Sequence, residues 1–131
     1  MKTFDLEIVT PTEVIKKESV SYLRCPGLDG LFGVLPGHRS ALIALDLGEI
    51  KVSQNNSDTF YATSGGFAEI NNSKVELLVE TVEEASDIDK KRAEASMERA
   101  KDRLRSKEKI DPKRAELALA RAINRLSISR K

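Results

Sequence analysis

The periodicity of the apolar residues changes once along this chain, near Glu84, and that change limits the fold more than any single motif does. From Ser86 onward apolar residues fall at Ala93, Met97, Ala100 and Leu104, then at Ala115, Leu119, Ala122 and Leu126. Spacings of three and four put each set on one helical face, so two helices are predicted. Ser86 or Asp87 offers a cap for the first, and Asp111-Pro112 supplies a cap and a first-turn proline for the second. Residues 106–110 between them are polar and few, which predicts an antiparallel hairpin. The chain therefore divides into residues 1–85 and 86–131.

The hairpin seam is poor in large side chains: only Met97, Leu104, Leu117, Leu119, Ile123 and Leu126 stand among the alanines. Apolar burial scales with the area removed from water, so such a pair of helices is marginal by itself. A marginal, basic element on a short link can dock in more than one place. A fixed C-terminal helical domain fits the same residues.

Residues 3–9 alternate, with Phe4, Leu6 and Ile8 on one side and Asp5 and Glu7 on the other, the pattern of a strand with one wet face. Thr10-Pro11-Thr12 ends it, and short strands are predicted over residues 13–17 and 19–25, stopped by Pro26-Gly27. Residues 30–38 are dense in turn formers. Further strands are predicted over 40–45, 49–53, 59–64, 67–70 and 74–82, with turns at 54–58 and 71–73. The pair Gly65-Gly66 inside this pattern marks a bulge or a close backbone approach. Many short strands at regular intervals give a small β-sandwich or barrel.

Charge follows the same division. Residues 1–85 hold 7 Lys/Arg against 13 Asp/Glu, net −6, and residues 86–131 hold 15 against 8, net +7. The hairpin can thus lie on its own acidic domain or reach an external acidic surface, and salt weakens either association. No apolar run approaches a membrane span, and the N-terminus lacks the apolar core of a signal peptide, so an intracellular protein without membrane insertion is expected. The single cysteine, Cys25, leaves no internal disulfide and no cysteine-based metal framework.

Residues for catalytic chemistry are few in this sequence. His38 is the only histidine and sits in a Pro-Gly turn, without a second histidine or a cysteine to complete a metal site or a nucleophile pair. No phosphate-binding Gly-x-x-x-x-Gly-Lys-Ser/Thr loop occurs, and the glycines of residues 30–37 open no helix. Arg92 and Arg99 lie seven apart on the first helix, and Arg114, Arg121 and Arg125 share a face of the second. An antiparallel pair would converge several guanidinium groups into a phosphate cradle, and a solvated basic face accounts for the same spacing. Nucleic acid is disfavoured: the hairpin has no aromatic residue for base stacking, and the −6 domain repels a polyanion.

Four motifs in order carry a resemblance: Gly33-Val34-Leu35-Pro36-Gly37-His38, Ser64-Gly65-Gly66-Phe67-Ala68-Glu69-Ile70, Ile88-Asp89-Lys90-Lys91-Arg92-Ala93, and the run from Arg114-Ala115-Glu116-Leu117 to Arg125-Leu126. On a β-then-hairpin chain they resemble the epsilon subunits of bacterial F-type rotary ATP synthases over the whole length, with a bacillus-like second half. The resemblance implies a flattened β-sandwich of about ten strands, followed by a mobile hairpin. The sandwich would bind the gamma subunit and rest on the ring of c subunits, at the cytoplasmic face of the bacterial membrane as a peripheral part of the complex. The protein would turn with the central stalk, coupling rotation without chemistry of its own and requiring no cofactor. Its extended hairpin would meet an acidic segment of the catalytic β subunits and block ATP hydrolysis, and ATP would act as a regulatory ligand of the compact form.

Carried over by position, that nucleotide site would use Ile88, Asp89, Arg92 and Ala93, with Glu83 near the base and Arg99, Arg121 and Arg125 toward the phosphates. Relatives often carry an acidic residue where this chain has Leu31, and a proline two residues beyond the His38 position, where this chain has Arg39-Ser40. The first departure implies an apolar contact with the c ring in place of a polar one. A free-standing nucleotide-sensing module, with the arginine cluster as its whole function, is the second reading.

Overall fold

A computed structural model of the chain describes residues 2–88, 90–105 and 112–129, with side chains at all of these except 103–105, 112 and 113. The chain forms two compact units, Met1–Glu84 and Ala85–Lys131.

The first unit is built from nine strands: β1 (Phe4–Val9), β2 (Val14–Gly27), β3 (Gly30–Val34), β4 (Ala41–Leu45), β5 (Gly48–Gln54), β6 (Ser57–Thr63), β7 (Gly66–Ile70), β8 (Lys74–Val79) and β9 (Val82–Glu84). The long strand β2 serves both layers. Its first half pairs with β1, as in Lys16↔Glu7, and its second half pairs with β5 and β3, as in Leu23↔Val52 and Leu23↔Val34. One layer then runs from β2 through β1, β8 and β7 to β4, and the other from β3 through β2, β5 and β6 to β9. Only β1 and β8 pair in parallel among the described strands.

Where two strands are expected over 13–17 and 19–25, the chain makes one bent strand; with β3 and β9 added, the nine strands agree with the about ten implied by resemblance. The bend is at Ser19, whose φ of 58° is left-handed. No glycine or proline breaks the pairing there. Instead the Ser19 N–H donates to the Asp5 carboxylate at 3.4 Å, and the Gln54 side-chain amide donates to the Glu18 carbonyl. These bonds hold the corner that carries β2 from one layer to the other.

Two further expectations change. Residues 30–34 form a strand despite their glycines, because Val34 and Phe32 turn inward opposite Leu23 and Cys25 at the edge of the layer. The strand predicted over 74–82 ends at Val79. The Thr81 carbonyl accepts from Thr63 Oγ1 at 3.0 Å, and Thr81 Oγ1 donates to Ser64 Oγ at 2.8 Å. That anchorage passes the chain to the second layer, where β9 pairs with β6.

The core between the layers follows from alternation. Leu6, Ile8, Leu23, Ile50, Ile70 and Leu77 are fully buried, and the tyrosine ring of Tyr61 joins them. Cys25 is buried in the same core, which pushes its thiol pKa up to about 12 by desolvation.

In the second unit a 3₁₀ turn over Ala85–Asp87 precedes α1 (Lys90–Arg105) and α2 (Pro112–Ser129). Ser86 and Asp87 do not cap α1 as expected. They lie in the 3₁₀ turn, closed by the Ile88 N–H on the Ala85 carbonyl at 3.3 Å, so α1 starts later. Pro112 opens α2 as its fixed φ predicts. The helices pack on each other, and α2 also touches the 3₁₀ turn at the head of α1, so α2 returns antiparallel along α1. The predicted link over 106–110 and the cap Asp111 lie outside the described residues.

Among the described residues the seam is rich in alanine, and the side chain of Leu104 lies outside them. Ala93, Ala100, Ala115 and Ala122 are buried together with Leu126, while Met97 and Leu119 are half-buried. Leu117 and Ile123 do not belong to it, being 48% exposed each. Ile128, two residues beyond the expected repeat, is buried instead.

Candidate functional site

The nucleotide site implied by resemblance falls on two kinds of position. Ile88 and Ala93 face inward, at 7% and 0% exposure. Ala93 sits in the alanine seam, where the absence of a larger side chain lets the helices approach closely. Arg92, one residue earlier, points to the outside, as do Arg99 and Arg121, and Arg125 is half-buried. The Arg99 guanidinium donates to Ser96 Oγ at 3.1 Å, one turn back along α1. Arg114, Arg121 and Arg125 are seven and four residues apart on α2, whose one acidic residue is Glu116, so the helix is strongly basic. Glu83 is half-buried on β9, opposite Ala62 of β6. Asp89 lies outside the described residues.

His38 behaves as a turn residue. Its backbone N–H donates to the Leu35 carbonyl at 3.2 Å, and its ring Nδ1 lies 2.8 Å from the Arg39 carbonyl, which it meets as a donor. Among the described residues no three of His, Cys, Asp and Glu stand together as a metal site, and no helix is long and apolar enough to cross a membrane.

The sandwich carries surfaces that alternation alone does not explain. Leu28, Leu31 and Leu35 flank the β2–β3 turn and β3 at 63%, 68% and 60% exposure. On the other layer Leu42, Phe67 and Leu78 are 70%, 52% and 42% exposed. Phe67 and Leu78 also line a shallow groove of about 640 Å³ that includes Val9, Pro11, Gly65 and Glu80. The signal was present in the sequence: Phe67 and Leu78 occupy the outward parity of their strands, where a wet face would carry polar residues.

The glycines of the Ser-Gly-Gly-Phe motif shape the head of that groove. A Cβ on Gly66 would stand 2.0 Å from the Leu78 carbonyl oxygen, and one on Gly65, at φ +111°, 2.9 Å from that of Leu45. Close backbone approach is therefore what the pair provides.

Comparison with known proteins agrees over both units. The family model described as "ATP synthase, Delta/Epsilon chain, beta-sandwich domain" matches residues 3–85, and "ATP synthase, Delta/Epsilon chain, long alpha-helix domain" matches residues 86–130. A protein of Lawsonia intracellularis named ATP synthase epsilon chain is 45% identical over 103 residues, 79% of this chain and 77% of the relative. One of the same name from Desulforamulus reducens is 44% identical over 106 residues, 81% and 80% of the two chains. Among solved structures, a chain of the Euglena gracilis mitochondrial ATP synthase, determined with OSCP, F1 and c-ring, matches with TM-score 0.81 and 25% identity over 92% of this chain and 77% of its own. A chain from the Tetrahymena thermophila mitochondrial ATP synthase central stalk and c-ring shares the fold, with TM-score 0.64 and 13% identity over 98% and 99%.

Proposed function

The chain belongs to the family of ATP synthase epsilon chains, non-catalytic subunits of the central stalk, and from that premise we propose that its sandwich is the fixed part and its hairpin the regulatory one. The sandwich binds the gamma subunit and the c ring at the membrane surface. It transmits rotation between the catalytic head and the ring without chemistry of its own.

The hairpin exchanges between a compact form and an extended form that inhibits ATP hydrolysis by laying basic α2 against an acidic segment of the catalytic β subunits. The observation that carries this reading is the pairing of opposite charge with an alanine seam. A unit of residues 86–131 with net +7 follows a sandwich unit of residues 1–85 with net −6, and four of the residues buried in its two helices are alanines, Ala93, Ala100, Ala115 and Ala122. Small seam residues give little apolar area, so separating the helices costs less than opening a leucine-filled seam. A two-state element of low stability is the kind that a ligand can bias.

ATP is the proposed ligand of the compact form. Ile88, Asp89, Arg92 and Ala93 form one side of its site, with Glu83 toward the base, and Arg99, Arg121 and Arg125 supply charge for the phosphates. Co-purification tests the stalk role directly: the chain comes down with gamma in stoichiometric amount. A chain recovered free of gamma yet binding ATP would instead be a free-standing nucleotide sensor.

A further inference from the structure

On α2, Leu117, Arg121, Asn124 and Ile128 follow the i, i+4, i+7, i+11 spacing of one helical face. That face is not the seam: at 3.6 residues per turn, Ile128 points about 160° away from Leu126. Burial nevertheless rises along it toward the end of the helix. Leu117 is 48% exposed, Arg121 is exposed, Asn124 is half-buried and Ile128 is 1% exposed. Among the described residues no other large side chain of the hairpin is buried as completely. A cover therefore lies at the C-terminal end of α2, on the side turned away from the seam. Within the second unit, α2 touches the 3₁₀ turn Ala85–Asp87 as well as α1, and that turn leads directly into buried Ile88.

We propose that Ile128 is a positioning residue of the nucleotide site: seated against the 3₁₀ turn, it fixes the last turn of α2, and through it Arg125, beside Ile88 and the head of α1. The inference rests on the ATP reading and adds a residue outside every position carried over by resemblance. Arg125 and Ile128 are three apart, so their side chains leave neighbouring points on the helix surface. An arginine loses much side-chain freedom when it holds a phosphate. An apolar anchor one turn away fixes the backbone from which that side chain swings, before the ligand arrives. The alanine seam sets how closely the helices approach but offers few large side chains to resist sliding or twisting. Ile128 supplies that resistance at the end of α2 where Arg125 stands. The helix is ordered to this point, and Ser129 Oγ donates to the Leu126 carbonyl at 2.8 Å.

The test is a double-mutant cycle on the full chain, with ATP affinity measured by calorimetry. Ile128→Ala is expected to weaken ATP binding about 10-fold, within the range of coupling between neighbouring residues. Ile128→Val, which keeps the branched shape, is expected to restore most of that loss. Ile123→Ala, at 48% exposure on the same helix, leaves the affinity unchanged. The cycle separates positioning from packing. In the Arg125→Ala background, Ile128→Ala is expected to cost less than about twofold, because the side chain it positions is gone. In the Arg92→Ala background it keeps its full effect. Circular dichroism checks that each variant retains its helical signal, and where Ile128→Ala loses it, Ile128→Val carries the same cycle with a smaller step. If the parent binds ATP and Ile128→Ala binds it equally well, or if the effects of Ile128→Ala and Arg125→Ala simply add, this inference is overturned and the ATP reading stands. If the parent itself binds no ATP, both fall together.

Discussion

Gly66 approaches Leu78 so closely that a Cβ on the glycine would stand 2.0 Å from the Leu78 carbonyl oxygen. The contact joins β7 to β8 at the point where the chain is about to leave one layer for the other, and no side chain can flex away from it because the obstacle is backbone. Gly66→Ala is therefore expected to cost about 3 kcal/mol or more, among the larger single-residue effects. Gly37→Ala is the control: φ is +81° there, but nothing lies within 4 Å of the added carbon. It is expected to cost only about 1–2 kcal/mol, the strain of a left-handed residue. Urea unfolding of both variants measures the difference.

Cys25 reports on the integrity of the sandwich. Its burial pushes the thiol up to about 12, so the native protein holds the proton through the neutral range. The unfolded thiol ionises at about 8.5. The native state therefore binds more protons between these values, and the contribution to stability is whole below the unfolded pKa and is lost as pH rises toward about 12. At pH 8 a thiol reagent is expected to label native protein only as fast as it opens, and to label it at once in urea. Prompt labelling without urea would show that the β2–β3 edge is open.

The alanine seam makes a prediction of its own. Ala100 and Ala122 are 3% exposed each, so a larger side chain at either must be taken up inside the packed pair. Ala122→Leu is expected to destabilise the hairpin by about 1–3 kcal/mol through overpacking. Leu117→Ala, at 48% exposure, stays within about 0.5 kcal/mol. Loss of helical signal on heating, followed by circular dichroism, separates the two.

The proposed nucleotide site is tested through its arginines. Arg92→Ala or Arg125→Ala is expected to weaken ATP binding by about 1.5–3 kcal/mol, the value of a hydrogen bond to a charged group. Calorimetry on the full chain measures it. Equal affinity in the parent and both variants would remove these residues from the site.

Much of this fold is legible in the sequence because two periods dominate it. Phe4, Leu6 and Ile8 alternate as a half-wet strand must, and Ala93, Ala100, Ala115, Ala122 and Leu126 recur as a helical seam must. What alternation could not deliver was long-range geometry. The bend at Ser19 depends on Asp5 and Gln54, far away in sequence, and the end of β8 depends on Thr63 and Ser64. Edge strand β3 was hidden by its glycines, which a strand interior would reject and an edge accepts. Of the proposed site, residue types and helical faces were readable. The outward parity of Phe67 and Leu78 was readable too, whereas their standing opposite each other appears only with the register of β7 and β8.

The measurement that bears most directly on the switch is ATP hydrolysis by the cognate catalytic head carrying either the full chain or a version ending at Glu84. The shortened version keeps the whole core of the sandwich, whose buried residues run from Phe4 to Val79. Suppressed hydrolysis is expected with the full chain and release of that suppression with the shortened one, both remaining bound to gamma. Equal rates with both versions bound would contradict this and leave the hairpin without inhibitory force.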